Sequence, residues 1–195
     1  MYPEYAEVDG KKYKINTDFR VALKCNEIAQ DGSISDFERM LGILYTLFGK
    51  DGIKDINKCE KFLEIAVKYL KCGMEYDDDD NSNKEPDIDY IQDEKYIRSS
   101  FKFDYGYDPY KMEYLHWWEF WNDLNNLSNS EFGSCCILSR VRQIRNFDLK
   151  KISDPKEKKE MAKAKKLVAL KKNKKVLNDK QKESARNFYQ EFLKK

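Results

Sequence analysis

The chain is predicted to be mainly α: an N-terminal β-hairpin, then a bundle of about seven helices, with a lysine-rich C-terminal helical extension. Three observations predict this. Apolar residues recur at three- and four-residue spacing along most of the 195 residues. Capping pairs precede several of these runs. One short stretch near the start instead alternates about Asp9-Gly10, a strong two-residue turn signal.

In residues 4–16, Tyr5, Val8, Tyr13 and Ile15 flank that turn. Two strands alone are marginal, so the hairpin must dock or pair with another chain. Thr17 is the expected cap of a helix through about Ala29, with Phe19, Val21, Ala22, Leu23, Cys25 and Ile28 as its apolar positions. Asp31-Gly32-Ser33 ends it. Ser35 and Glu38 form a capping box, and the next helix carries Phe37, Met40, Leu41, Leu44, Tyr45 and Phe48 to a stop at Gly49. Asn57 and Glu60 repeat the box. Phe62, Leu63, Ala66, Val67, Tyr69 and Leu70 give the following face, closed by Gly73.

Residues 75–89 are acidic and nearly free of aliphatics. Such a segment cannot repay the entropy of ordering, so a mobile loop is expected. It lacks the glycine and ligand spacing of an EF-hand, which argues against calcium. Tyr90, Ile91, Ile97, Phe101 and Tyr105 then point to a helix closed by Gly106.

Asp108 to Leu127 holds all three tryptophans and the one histidine, His116. Asp108-Pro109 reads as a cap and first helical residue. Tyr110, Tyr114, Trp117, Trp121 and Leu124 share one stripe, with Phe120 and Leu127 roughly opposite. A helix apolar on two sides belongs at the centre of a fold. Ser128 and Glu131 make a third box. The helix through about Phe147 should bury Phe132, Cys135, Ile137, Leu138, Val141 and Ile144 and expose Arg140, Arg142 and Arg145.

Ser153-Asp154-Pro155 restarts a helix whose stretch Lys156–Lys175 has only a narrow apolar stripe, so it is expected to project or to order on a partner. Asn178 and Gln181 cap a last helix with Ala185, Phe188, Tyr189 and Phe192 on one face. The expected organisation is thus a hairpin at 1–16, a helical body at 17–149 with the acidic loop at 75–89, and a basic extension at 150–195.

The net charge of +2 hides an asymmetry: residues 150–195 carry about +11 and the rest about −9. Lysines neutralise phosphates, so a nucleic-acid reading exists. Residues 150–187 have no aromatic to stack on bases and one arginine, which argues against nucleic acid as a partner. The five cysteines are odd in number and include an adjacent pair, which suits free thiols in a reducing compartment. No CxxC spacing or Cys/His cluster calls for a metal, and no cofactor is expected. No apolar run approaches a membrane span and the N-terminus is unlike a signal peptide, so the expected location is the cytoplasm of a bacterial host. A nucleophile needs a base in reach, and His116 sits among aromatics with no catalytic motif around it; no enzyme activity is expected.

Three stretches together resemble the bacteriophage "gene product fifteen" family of tailed phages and prophages of Gram-positive bacteria. They are VDGKKYKINTDFR (Val8–Arg20), DEKYIRSSFKFDYGYDPYKMEYLHWWEFWNDLNNL (Asp93–Leu127) and SRVRQIRNFDL (Ser139–Leu149). The likeness spans most of the chain and leaves the acidic loop and lysine tail variable. One departure is Tyr107-Asp108-Pro109, where a small apolar-acidic-apolar run is expected. The resemblance implies a gene in a tail-morphogenesis module and a non-enzymatic tail assembly chaperone. Its implied partners are the tape-measure protein and other tail assembly proteins, with a homo-oligomer as a further possibility. Alternatives are a structural subunit of a tail or tail-like bacteriocin, or a nucleic-acid binder using the lysine helix. No catalytic residue comes with the resemblance. The candidate partner-binding residues are Tyr5, Tyr13, Phe188, Tyr189 and Phe192, aromatics without an evident local partner, and Trp118 as an exposed edge of the tryptophan stretch.

Overall fold

The computed structural model describes residues 2–74, 86–128 and 135–171. Seven α-helices follow an N-terminal two-stranded antiparallel hairpin among them, as the sequence predicts. The described residues fall into two compact units, one of 2–74 with His116–Trp118, the other of 86–115 with 119–128 and 135–171.

In the first unit, β1 (Tyr5–Val8) pairs with β2 (Lys11–Lys14), Val8 facing Lys11 across the turn. Asp9 and Gly10 both take positive φ, 51° and 73°. That is the geometry whose twist matches two antiparallel strands, and Asp-Gly suits it. Ala6 and Val8 turn inward while Tyr5 and Glu7 stay out.

Helix α1 spans Phe19–Gln30 and buries Phe19, Ala22 and Cys25. Its cap is Asp18, not Thr17: the Asp18 carboxylate accepts the Arg20 N–H at 2.9 Å. The Thr17 carbonyl is committed elsewhere, accepting the Trp117 N–H at 2.8 Å. Helix α2 (Asp36–Phe48) starts on the predicted Ser35/Glu38 box and stops at Gly49. The Asn57/Glu60 box does not form. Asp55 caps a short 3-10 turn, Ile56–Lys58, that leads into α3 (Cys59–Leu70), because its carboxylate reaches the Asn57 N–H first. Helix α3 buries Cys59, Phe62, Ala66 and Tyr69. Phe62 is the hub of this unit, with the Phe48 and Tyr13 rings 5.0 and 4.9 Å away.

In the second unit, α4 (Glu94–Asp104) buries Ile97, Ser100 and Phe101. The long helix predicted over Asp108–Leu127 is broken. Asp108 and Pro109 start only a 3-10 turn, Pro109–Lys111, and Met112 is extended. Helix α5 begins at Trp117 and runs to Asn125, its first two residues counting with the first unit. The cause is a competing partner: His116 forms a β-bridge with Asp18, which takes its backbone out of the helical ladder. The predicted pairing of this helix with its predecessor does hold, since Phe101 stacks on Phe120 at 5.3 Å and 15°. Each such buried ring contributes roughly 1.5–3 kcal/mol.

The acidic stretch 75–85 and the segment 129–134, with Glu131 and Phe132, lie outside the described residues. Residues 86–89 are engaged, contrary to the loop expected through 89. Asp87 pairs with Arg142, and Asp89 accepts the Ile91 and Gln92 N–H groups. Helix α6 spans Ile137–Asn146, and the Ser128 hydroxyl accepts the Cys136 N–H just before it. Arg145 is not exposed as predicted. Its side chain is 9% accessible and grips Asp93, which is 1% accessible, through two bonds of 2.7 Å. Helix α7 (Pro155–Val168) is capped by Asp154 as expected. It does not project: it packs on α6, yet buries no residue of its own. The predicted last helix, with Phe188, Tyr189 and Phe192, falls outside the described residues.

Candidate functional site

Partner-binding residues picked from the sequence have different fates. Tyr5 stands on the outward face of β1 and is 55% exposed. Tyr13 does have a partner, the edge of the Phe62 ring, with the Lys11 ammonium over its own face. Non-local packing explains the difference, since Phe62 is far away in the chain.

Trp118 is half-buried rather than an open edge. Its indole N–H donates to the Tyr69 carbonyl at 2.9 Å, while Trp117 donates to the neighbouring Leu70 carbonyl at 3.1 Å. The Trp117 indole thus bonds a carbonyl in the last turn of α3, while the Trp118 indole shares the Tyr69 carbonyl with the Cys72 N–H, 3.0 Å away. Gly73 makes room for the arrangement. It has a φ of 75°, and a Cβ there would stand 3.1 Å from the Trp118 ring. The other three candidates, Phe188, Tyr189 and Phe192, lie outside the described residues.

His116 is buried between rings. Tyr2 stacks on it at 4.9 Å. Its Nδ1 accepts the Trp118 N–H at 3.0 Å, so the histidine itself serves as a cap for α5. That bond requires an unprotonated Nδ1, which leaves the proton on Nε2, aimed at the Pro3 carbonyl 3.3 Å away. A base must offer a lone pair to substrate. Both ring nitrogens here hold main chain, so the arrangement positions the start of a helix.

Asp108, Asp87, Tyr107, Cys25 and Cys72 are likewise bound into structure. Burial pushes the Asp108 carboxyl up, but the Arg98 guanidinium, the Tyr110 N–H and Lys102 outweigh it and hold it below the usual range. Asp87 shows the same balance, with burial opposed by Arg142 and Asn146. Burial pushes the Tyr107 hydroxyl up, and its bond to Asp123 adds to the shift. Burial also drives the Cys25 and Cys72 thiols up to about 12, the opposite of a reactive thiolate. Among the described residues, no group of three or more His, Cys, Asp or Glu could hold a metal ion. No helix among them is long and apolar enough to cross a membrane.

Sequence reasoning missed a surface on α2. Phe37, Leu41 and Tyr45 follow at four-residue spacing, none of them buried, and Tyr45 is 52% exposed. The pattern was visible as apolar positions on one stripe, but which of two stripes packs inward is decided by α1 and α3.

The family model described as Bacteriophage Gp15 protein matches residues 2–170. Searches of the curated proteins and of the solved structures gave no match. The matched span includes every described residue of the hairpin and of α1 to α7 up to Leu170. The chain thus belongs to the Bacteriophage Gp15 protein family, and its role is a phage-related one in structure or morphogenesis.

Proposed function

We propose that the protein is a non-enzymatic tail assembly chaperone that holds the tape-measure protein while the tail tube assembles. The observation that carries this reading is the family match over residues 2–170, which makes the protein phage-related. Two features support the narrower role. Helix α2 presents Tyr45, 52% exposed, with the half-buried Leu41 one turn before it, the i, i+4 spacing that meets the apolar stripe of a partner helix. His116 is committed to main-chain contacts on both nitrogens.

The test is co-expression with the tape-measure protein encoded in the same gene cluster, with an affinity tag on the tape measure. The two chains are expected to purify together, and Tyr45→Glu is expected to weaken the complex, because a charge there must be desolvated. Failure of the untagged chain to follow the tape measure would contradict the reading.

A further inference from the structure

The end of α7 is held in an unusual way. The helix stops at Val168, and Ala169 is extended, with φ −61° and ψ 137°. The chain then runs past Gln92, Asp93, Lys95, Tyr96 and Arg145, and Leu167 to Lys171 line with them a small groove of about 270 Å³. Three bonds fix it there, and all three go to main chain. Arg145 Nε donates to the Val168 carbonyl at 2.6 Å. The Gln92 amide both accepts the Lys171 N–H at 2.8 Å and donates to the Lys171 carbonyl at 3.1 Å. That paired use of one amide is how a neighbouring strand is read.

Beyond these bonds, Lys165 Nζ donates to the Phe147 carbonyl at 2.6 Å and the helix lies against α6. Helix α7 buries no residue, and Leu167, on the same stretch, is 85% exposed. The connection before it, from Ile152 to Asp154, is extended at both ends. A short linker between a packed body and a polar-held helix is the layout in which identical elements exchange between copies at low cost.

We infer that the groove of Gln92, Lys95, Tyr96 and Arg145 is a docking site for the α7–Lys171 element of a second copy of this chain. The main-chain contacts would suit many extended segments. The segment seated there is this chain's own, and a second copy brings the same segment with the same helix attached, so every contact is regained on exchange. The inference is independent of the tape-measure reading.

Lys95 and Lys171 both line the groove, which supplies a test. Two differently tagged full-length chains, one Lys95→Arg and one Lys171→Arg, are co-expressed and purified through both tags in turn, then treated with a short amine-reactive cross-linker. Arginine keeps the charge over Tyr96 and the main-chain contacts of residue 171, and it does not react. A Lys95–Lys171 link can then form only between copies, and it is the expected product. Adding Gln92→Ala to the Lys95→Arg chain, whose own groove takes no part in the link, is expected to spare it. Adding it to the chain that keeps Lys95 is expected to reduce it roughly fivefold. Recovery of no doubly tagged species would overturn the inference. So would a link that the wild-type chain forms only within a monomer, or Lys95 linked only to some other polypeptide.

Discussion

The two compact units are held together by different physics. In the first, Phe19, Leu44, Leu47, Phe62 and Ala66 are buried, and the ion pairs found there, such as Lys24–Glu27 and Arg39–Asp36, lie at the surface. Surface pairs of that kind contribute little. In the second, the core of Ile97, Phe101, Phe120 and Leu138 is joined by carboxylates withdrawn from water: Asp93 under Arg145, and Asp108, 3% exposed, under Arg98. A buried pair is weak evidence of stability in itself, but removing one partner is costly. One unit therefore depends on shape, and the other depends on shape and on charge being in the right state.

The largest effects should separate the two. Phe62→Ala empties the hub of the first unit and is expected to cost about 3–5 kcal/mol, with faster hydrogen exchange in α1 to α3. Arg145→Met strands the buried Asp93 charge and is expected to cost a similar ~3–5 kcal/mol, but with faster exchange in α4, α6 and α7. Equal loosening of both units by either variant would break the comparison.

Acid should sharpen it. Asp87 and Asp108 have folded carboxyls held below the ordinary value of 3.8. Their contribution is present in full above that value and is lost as the pH falls through the lowered folded values. On acidification the α4 and α6 amides are expected to lose protection first. Asp9 in the first unit is also lowered, by its bonds to Lys61 and Lys58, but in an exposed position where solvent screens the effect. Loss of protection beginning in α1 to α3 would contradict the assignment.

The smallest effect concerns the tryptophans. Gly73→Ala places a methyl group at a positive φ and against the Trp118 ring. A cost of about 1–2 kcal/mol is expected, together with a shift in tryptophan emission as the indole moves. An unchanged spectrum would show that Trp118 is not held as described.

What could be read from the sequence was what is local. The Asp9-Gly10 turn, the Ser35/Glu38 box and the Asp154-Pro155 start all form as expected, because each is decided within four residues. What could not be read depends on distant partners. The helix expected from Asp108 is interrupted because His116 pairs with Asp18, far earlier in the chain. Arg145 looked like a solvated charge because Asp93 lies 52 residues away. Tyr13 looked unpartnered for the same reason. Of the candidate site, only the outward position of Tyr5 followed from strand alternation alone, since Trp118 needed the end of α3 to explain it.

Under the proposed function the protein escorts a tape measure rather than staying in the tail. Quantitative mass spectrometry of tape-measure complexes drawn from cells during assembly, alongside finished particles, tests it most directly. The account predicts the chain bound to the tape measure before completion and missing from the finished particle. A fixed number of copies in purified particles, with none on the free tape measure, would contradict it.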